Sequence, residues 1–149
     1  METGKAPIHP LRPAELDAIV TLWLNANLQA HNFVDPTYWR ENLPAVRALL
    51  PQAEVYVYGE PGAVRGFIGI TDGDYIAGIF VAEDFRSRGV GKALLDHAKH
   101  LHPLLKLHVY QKNTRAVRFY LREGFTCVQE LVDGDTGEPE LLLQWEKKS

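Results

Sequence analysis

The amino-acid sequence predicts an α/β (α+β) fold, a central mixed and twisted sheet of about six to seven strands flanked by about four helices. Three observations predict it. First, the apolar run Tyr75-Ile76-Ala77-Gly78-Ile79-Phe80-Val81 leads into Arg86-Ser87-Arg88-Gly89-Val90-Gly91 and then into an amphipathic stretch, Val90 to Leu101. This reads as strand, short loop, helix start. Second, Leu104 to Val109 is apolar again, so a parallel pairing through that helix is right-handed. Third, Asp72-Gly73 and Asp133-Gly134-Asp135 are turn signals between apolar runs, as expected of hairpins.

Along the chain, Ile8 to Arg12 reads as a first strand. Pro13 suits a first helical turn, where Glu15 and Asp17 complement the dipole. Leu16, Ile19, Val20, Trp23, Leu24, Asn27 and Leu28 recur at helical spacing, and that helix ends near Ala30. Asp35-Pro36 marks a cap and a second helix with the apolar stripe Trp39, Leu43, Val46, Leu50, which Pro44 should kink or restart. Glu54 to Tyr58 and Arg65 to Thr71 are strands about the turn Gly59-Glu60-Pro61-Gly62. The helix from Gly89 stops before Pro103. Thr114 to Glu123 is a short helix with Asn113 as cap and Gly124 just past its end. Thr126 to Val132 and Glu140 to Trp145 form the last hairpin.

The chain has 149 residues, so one domain spanning 1–149 is expected. A net charge of −3 gives no general attraction to nucleic acid or anionic membrane, and neither is expected as a partner. The single cysteine, Cys127, has no internal disulfide partner and reads as a small buried thiol on a strand. The longest apolar run is about seven residues, short of a membrane span. The first residues carry prolines and acids and lack an apolar signal core, so a cytoplasmic location is expected.

The loop from Arg86 to Lys92 has a specific physical use. A helix N-terminus offers unpaired N–H groups and about half a positive charge. Gly89 and Gly91 let a ligand approach the backbone, and Arg86, Arg88 and Lys92 surround it with cations. That is an anion site suited to phosphate. A P-loop needs G-x-x-x-x-G-K-[ST], which is absent, and Gly89-Val90-Gly91-Lys92-Ala93-Leu94 lacks the third glycine of a dinucleotide fingerprint. The next strand ends in Tyr110-Gln111-Lys112-Asn113, without the acid such a fingerprint requires.

A strand followed by R-x-x-G-x-G resembles the acyl-CoA pyrophosphate loop of the GNAT superfamily of N-acetyltransferases. Leu107-x-Val109, Asn113, Ala116-Val117-Arg118-Phe119-Tyr120 and Gly124-Phe125 resemble the family's later segment. Leu11-Arg12-Pro13-Ala14-Glu15-Leu16-Asp17 is a common family opening, and the length and order look like small standalone bacterial-type members. The resemblance implies a sheet splayed between its fourth and fifth strands. It also implies acetyl-CoA as co-substrate, with no metal. The cofactor contacts it implies are main-chain groups of Ile79, Phe80 and Val81, the loop Arg86, Ser87, Arg88, Gly89, Val90, Gly91 and Lys92, and Asn113 and Tyr120. Gly78 is a candidate for the bulge that opens the gap.

Acyl transfer to an amine poses two problems. The nucleophile must be neutral, and a lysine amine of pKa about 10.4 is only about 0.04% neutral at pH 7, a deficit of about 4.6 kcal/mol. The leaving thiolate must also gain a proton. The resemblance assigns the acid to Tyr120; beside it, Phe119 reads as the better core candidate. The family's usual strand glutamate, twelve residues before the tyrosine, is His108 here. His108 reads either as a base, since a neutral imidazole accepts a proton at physiological pH, or as a strand histidine without a catalytic part. Asn113 reads as a helix cap that also bonds pantetheine or positions water. His31, Asn32, Phe33, Tyr38 and Trp39 cluster between the first two helices and read either as the acceptor pocket or as loop packing. His97, His100 and His102 sit at one helix end, where cations favour the dipole, and the acidic turn from Asp133 to Glu140 departs from calcium-loop spacing.

The expected activity is acetyl-CoA-dependent N-acetylation of a primary amine, with a protein lysine favoured over a small amine such as a polyamine. A non-catalytic acyl-CoA-binding module is the alternative from another class, and Tyr120 speaks against it. A monomer or a homodimer is expected.

Overall fold

The computed structural model describes residues 8–60 and 62–148. Pro61, in the expected turn from Gly59 to Gly62, lies outside the described residues, as do Met1 to Pro7, part of the segment read for a signal core. Seven strands and four α-helices follow in the order β1 (Ile8–Pro10), α1 (Leu16–Ala30), α2 (Pro36–Leu49), β2 (Glu54–Glu60), β3 (Ala63–Thr71), β4 (Tyr75–Val81), α3 (Val90–Leu101), β5 (Leu104–Tyr110), α4 (Thr114–Arg122), β6 (Thr126–Val132) and β7 (Pro139–Glu146). Short 3-10 turns at Pro13–Glu15, Leu50–Gln52 and Glu83–Phe85 join them. The strands form one mixed sheet in the order β1-β2-β3-β4-β5-β7-β6. All pairs are antiparallel except β4 with β5. The expected sheet, helix count and parallel crossover are all present.

Local chemistry explains the boundaries. Asp35 caps α2 by accepting from the Thr37 N–H at 2.9 Å, and Pro36 occupies the first turn where its missing N–H is harmless. Of the expected kink or restart at Pro44 the restart does not occur, and α2 runs through it as one helix. The cost of the lost hydrogen bond is borne by packing of Trp39, Leu43 and Val46. The turn before α1 is fixed by Glu15, which accepts from the Arg12 N–H at 3.0 Å and pairs with His9 at 2.8 Å in a buried contact.

The sheet separates two cores. On one face α3 and α4 cover Ile68, Ile70, Ile76, Leu105, Leu107 and Leu143, with Leu94 and Leu95 of α3 fully buried against them. On the other face α1 and α2 cover Val55, Val57 and Phe67 with Ile19 and Val20. Each such side chain contributes about 1.5–3 kcal/mol when fully buried. The alternation Leu105, Leu107, Val109 points inward and His108 points out, as the pattern predicts.

Two expectations about the core are overturned. Tyr120, not Phe119, is the buried residue of α4, at 7% exposure. The chain leaves α4 through Gly124 and buries Phe125, whose ring meets Tyr120 edge-on at 5.4 Å and draws it inward. Cys127 is exposed, not buried. It lies on β6, the outermost strand, where nearly every residue is exposed.

Candidate active site

The defining feature is a gap in the sheet. The parallel pairing of β4 and β5 is confined to Tyr75 opposite Lys106, reinforced by the Lys106 N–H donating to the Asp74 carbonyl at 2.8 Å. Beyond this vertex the strands diverge. The register of β4 against β3 also shifts, with Gly69 opposite Gly78 but Ile70 opposite Ile76, so the extra residue is Ala77, next to Gly78. A Cβ at Gly78 would meet the Phe80 ring at 2.4 Å, so glycine there lets that ring fold back along the strand. The Ala82 N–H bonds back to Arg65 on β3 at 2.8 Å. Backbone alternation then turns the N–H and C=O of Ile79 and Val81 away from β3 and into the gap. Arg86 Nε reaches the Val81 carbonyl from that side at 3.5 Å.

The gap opens into a cleft of about 940 Å³. Ile79, Phe80 and Val81 form one wall, the loop Arg86, Ser87, Gly89, Gly91 and Lys92 a second, and Asn113, Phe119 and Tyr120 a third. Ala26, Asn27 and His31 of the α1 end complete it. Gly89 caps α3 with φ +83°, a left-handed conformation that favours glycine, and a side chain there would meet open space. A Cβ at Gly91 would touch Phe119 and Val81 at ordinary contact distances of 3.7 and 3.8 Å. Arg86 is held by the Gln29 side-chain amide oxygen at 2.5 Å, and Lys92 by Glu123 at 3.0 Å and Asp96 at 3.4 Å. Of the other loop residues, Arg88 is exposed outside the cleft lining and Val90 is packed in the core.

Besides Lys112, just before α4, three cations of that helix that sequence reasoning missed also line the cleft: Arg115, Arg118 and Arg122. Their spacing of three and four residues puts them on one helical face, a signal present in the sequence. Arg115 Nη2 donates to Ser87 Oγ at 2.7 Å and so joins α4 to the loop.

Tyr120 lies at the inner end of the cleft, packed edge-on between Phe119 at 5.2 Å and Phe125. Burial alone raises its pKa well above the ordinary phenol value, so the hydroxyl is protonated at neutral pH. Asn113 caps α4 by accepting from the Ala116 N–H at 3.3 Å, and its amide nitrogen lies 3.0 Å from His31 Nε2. Burial pushes the His31 pKa down to about 4. The ring stacks on Trp39 at 5.4 Å and meets Phe33 and Tyr110 edge-on at 5.7 and 5.0 Å. Tyr38 donates to Asp135 at 3.3 Å and Tyr110 to Asp133 at 2.7 Å, so the β6–β7 turn closes over this aromatic group.

His108 stands two residues past the vertex, on the β5 side of the gap and outside the cleft lining. It is exposed, and its Nδ1 lies 2.6 Å from the Tyr75 hydroxyl. Asp133 and Glu140 are charged neighbours, and burial raises the Glu140 pKa. No cluster of three or more metal-ligating side chains occurs among the described residues, and no helix among them is long and apolar enough to cross a membrane.

Comparison with known proteins agrees with this geometry. A family model described as an acetyltransferase (GNAT) domain matches residues 51–127. The chain is 39% identical over 139 residues to the peptidyl-lysine N-acetyltransferase YiaC of Escherichia coli strain K12, covering 93% of this chain and 95% of that one. It superposes on the solution structure of apo-form YjaB from Escherichia coli with a TM-score of 0.83 at 28% identity, covering 97% and 99% of the two chains. The PaiA N-acetyltransferase of Thermoplasma acidophilum, solved in complex with coenzyme A, has the same fold, with a TM-score of 0.79 at 15% identity and coverage of 95% and 99%. A strand splayed from its parallel neighbour, a glycine-capped helix beside it and a buried tyrosine facing the gap thus coincide with a matching family model and a closely similar relative: the chain belongs to the GNAT family and is an N-acetyltransferase.

Proposed function

We propose that the cleft binds acetyl-CoA and that the enzyme transfers its acetyl group to the ε-amine of a protein lysine. The observation that carries this reading is the unpaired edge of β4 leading from Tyr120 to the glycine-capped start of α3. Main-chain groups of Ile79 and Val81, left unpaired by β5, suit the amides of pantetheine, which would add to β4 as a missing strand does. The first amides of α3 suit the pyrophosphate. Arg118 and Arg122 extend the positive rim for the remaining phosphate. The lysine preference is supported by the name of the relative at 39% identity.

In this reading the neutral amine enters from the side of His31, Phe33, Tyr38 and Trp39 and attacks the thioester carbonyl. The C–N bond forms as the carbonyl oxygen takes negative charge, which a main-chain N–H of the Ile79–Val81 segment stabilises. The C–S bond then breaks. The Tyr120 hydroxyl gives its proton to the departing sulfur, the proton lost by the amine passes to His108, directly or through water, and on to solvent, and Tyr120 regains a proton from solvent before the next turnover. With its pKa raised by burial, Tyr120 carries its proton at neutral pH. A cytoplasmic location, where acetyl-CoA is made, belongs to the same reading.

The test is calorimetric binding of acetyl-CoA, followed by thiol release measured with lysine-containing peptides, spermidine and free amino acids as acceptors. Binding together with turnover on peptides alone supports the reading. Turnover on spermidine alone replaces the lysine acceptor with a small amine. Absence of acetyl-CoA binding removes the cleft assignment.

A further inference from the structure

One chain of hydrogen bonds crosses the cleft and has a single self-consistent protonation state. At its α1 end the Asn27 amide nitrogen donates to the Trp23 carbonyl at 2.9 Å. A carbonyl can only accept, so this contact turns the Asn27 amide oxygen toward His31 Nδ1, 2.9 Å away. Nδ1 must therefore carry the proton. At the α4 end the Ala116 N–H can only donate, so Asn113 offers it oxygen and turns its amide nitrogen toward His31 Nε2. Nε2 must therefore be the bare acceptor. Two backbone groups on different helices thus demand the same neutral tautomer of one ring. A doubly protonated ring would set N–H against N–H at Asn113, or force its amide to turn and uncap α4.

The ring is also confined by its neighbours. Trp39 stacks on one face, and Phe33 and Tyr110 close the edges. The charged groups around it are already engaged elsewhere. Asp133 accepts from Tyr110, Asp135 accepts from Tyr38, and Lys112 pairs with Glu138 at 3.0 Å while lying 5.4 Å over the Phe33 ring. Asn27 is buried at 4% exposure, so a broken contact there leaves a polar group without water.

We propose that His31 is a positioning residue, holding the start of α4, and with it Tyr120, at a fixed separation from the acceptor-side helices α1 and α2. Asn113 and Tyr120 are seven residues apart on α4, about 10 Å along its axis, so a shift at the cap reaches the acid directly. The His31–Asn113 contact uses one N–H of the Asn113 amide and leaves the other free for a ligand. The proposal rests on the cleft being the site of acetyl transfer.

The test has three arms. Nitrogen-15 imidazole spectra of the whole protein should show His31 as the Nδ1–H tautomer, unchanged from pH 8 to pH 5. Free imidazole side chains favour the other tautomer, so an Nε2–H signature, or an ordinary titration in that range, overturns the proposal without any variant. His31→Phe keeps the stack on Trp39 and loses both hydrogen bonds. Asn113→Ser keeps a side-chain oxygen for the cap and loses the donor to His31. Each should lower kcat about tenfold, His31→Phe with the KM for acetyl-CoA within about twofold of wild type, and the double variant should lose no more kcat than either alone. Additive losses, or a kcat unchanged in both, overturn it. If wild type binds no acetyl-CoA the cleft reading fails instead, and the tautomer spectrum still reports on His31 by itself.

Discussion

Replacing Tyr120 by phenylalanine separates chemistry from folding, because turnover should fall while stability stays close to that of wild type. The ring packs between Phe119 and Phe125 at 5.2 and 5.4 Å, and phenylalanine keeps both contacts. Only the hydroxyl goes. Burial raises its pKa, but the residue lines the cleft and its oxygen is not among the buried polar atoms left without a partner. With both ring contacts kept and no protein hydrogen bond lost, Tyr120→Phe should stay within about 1 kcal/mol of wild type. In a chain of this size that is a Tm within about 2–4 °C of wild type. Turnover should fall much further. A thiol of pKa about 8.5 expelled as thiolate at pH 7 forgoes about 2 kcal/mol of protonation, or about 30-fold in rate. That is the floor, and a positioned acid typically contributes 10²–10⁴-fold, about the range expected here. The assay is steady-state thiol release at saturating acetyl-CoA, with Tm from differential scanning fluorimetry on the same preparations. A variant that is slower only because it is less stable would refute the reasoning, as would one that turns over within threefold of wild type.

Other perturbations test the neighbouring parts. Gly89→Ala meets open space but must hold φ +83°, so it should lose about 1–2 kcal/mol of stability, whereas Gly91→Ala makes only ordinary contacts and should fold as wild type. If the loop carries the pyrophosphate, both should weaken acetyl-CoA binding by calorimetry; unaltered affinity in folded Gly91→Trp removes the loop from the site. His108→Ala should flatten the pH dependence of kcat and His108→Glu should restore turnover, while a wild-type profile in His108→Ala leaves water or the acceptor as the only proton sink. His31 binds a proton in the unfolded chain below pH about 6.5 but in the folded one only near pH 4. Its contribution is therefore intact above pH 6.5 and lost as pH falls toward 4, an upper value of about 3 kcal/mol before solvent screening. Urea midpoints of wild type and His31→Phe should accordingly converge between pH 7 and pH 4.5, and parallel curves would contradict the burial of that ring.

Legibility differed by the range of the interaction. Caps and turns were readable because their signals sit within four residues: Asp35-Pro36 starts α2, and Asn113 starts α4. The alternation of β5 was readable for the same reason, since Leu105, Leu107 and Val109 belong to one buried face. The splay of β4 from β5 followed from resemblance, and Gly78 marks it only to within one residue, because the unpaired position is Ala77. Phe119 and Tyr120 were interchanged because a nine-residue helix with two adjacent aromatics has no internal criterion for which one faces the core. The rotation is set by Phe125, beyond the helix end. Cys127 was misjudged because edge position is a property of strand order, which no local pattern encodes. Arg115, Arg118 and Arg122 were legible as a helical row, yet only the cleft gives that row a purpose. The His31–Asn113 contact joins residues 82 apart and leaves no trace in either local sequence.

The gap between β4 and β5 explains why these long-range contacts gather where they do. A sheet opened along a parallel pair exposes main-chain groups that would otherwise be bonded, and such an edge invites the wrong partner. The vertex at Tyr75 and Lys106 stops the opening from running the length of the strands. On the β5 side, β7 pairs along the whole strand from Leu104 to Tyr110 and holds it from its far side. On the β4 side, β3 does the same from Gly66 to Thr71. The helices α1 and α4 flank the opening between them. His31 and Asn113 tie those two together across it. On the proposed reading, the strands present a fixed edge to pantetheine, and the helices, joined by one neutral imidazole, carry the acid and the acceptor wall. A change to the strands should then appear chiefly in acetyl-CoA affinity, and a change to the tie chiefly in kcat.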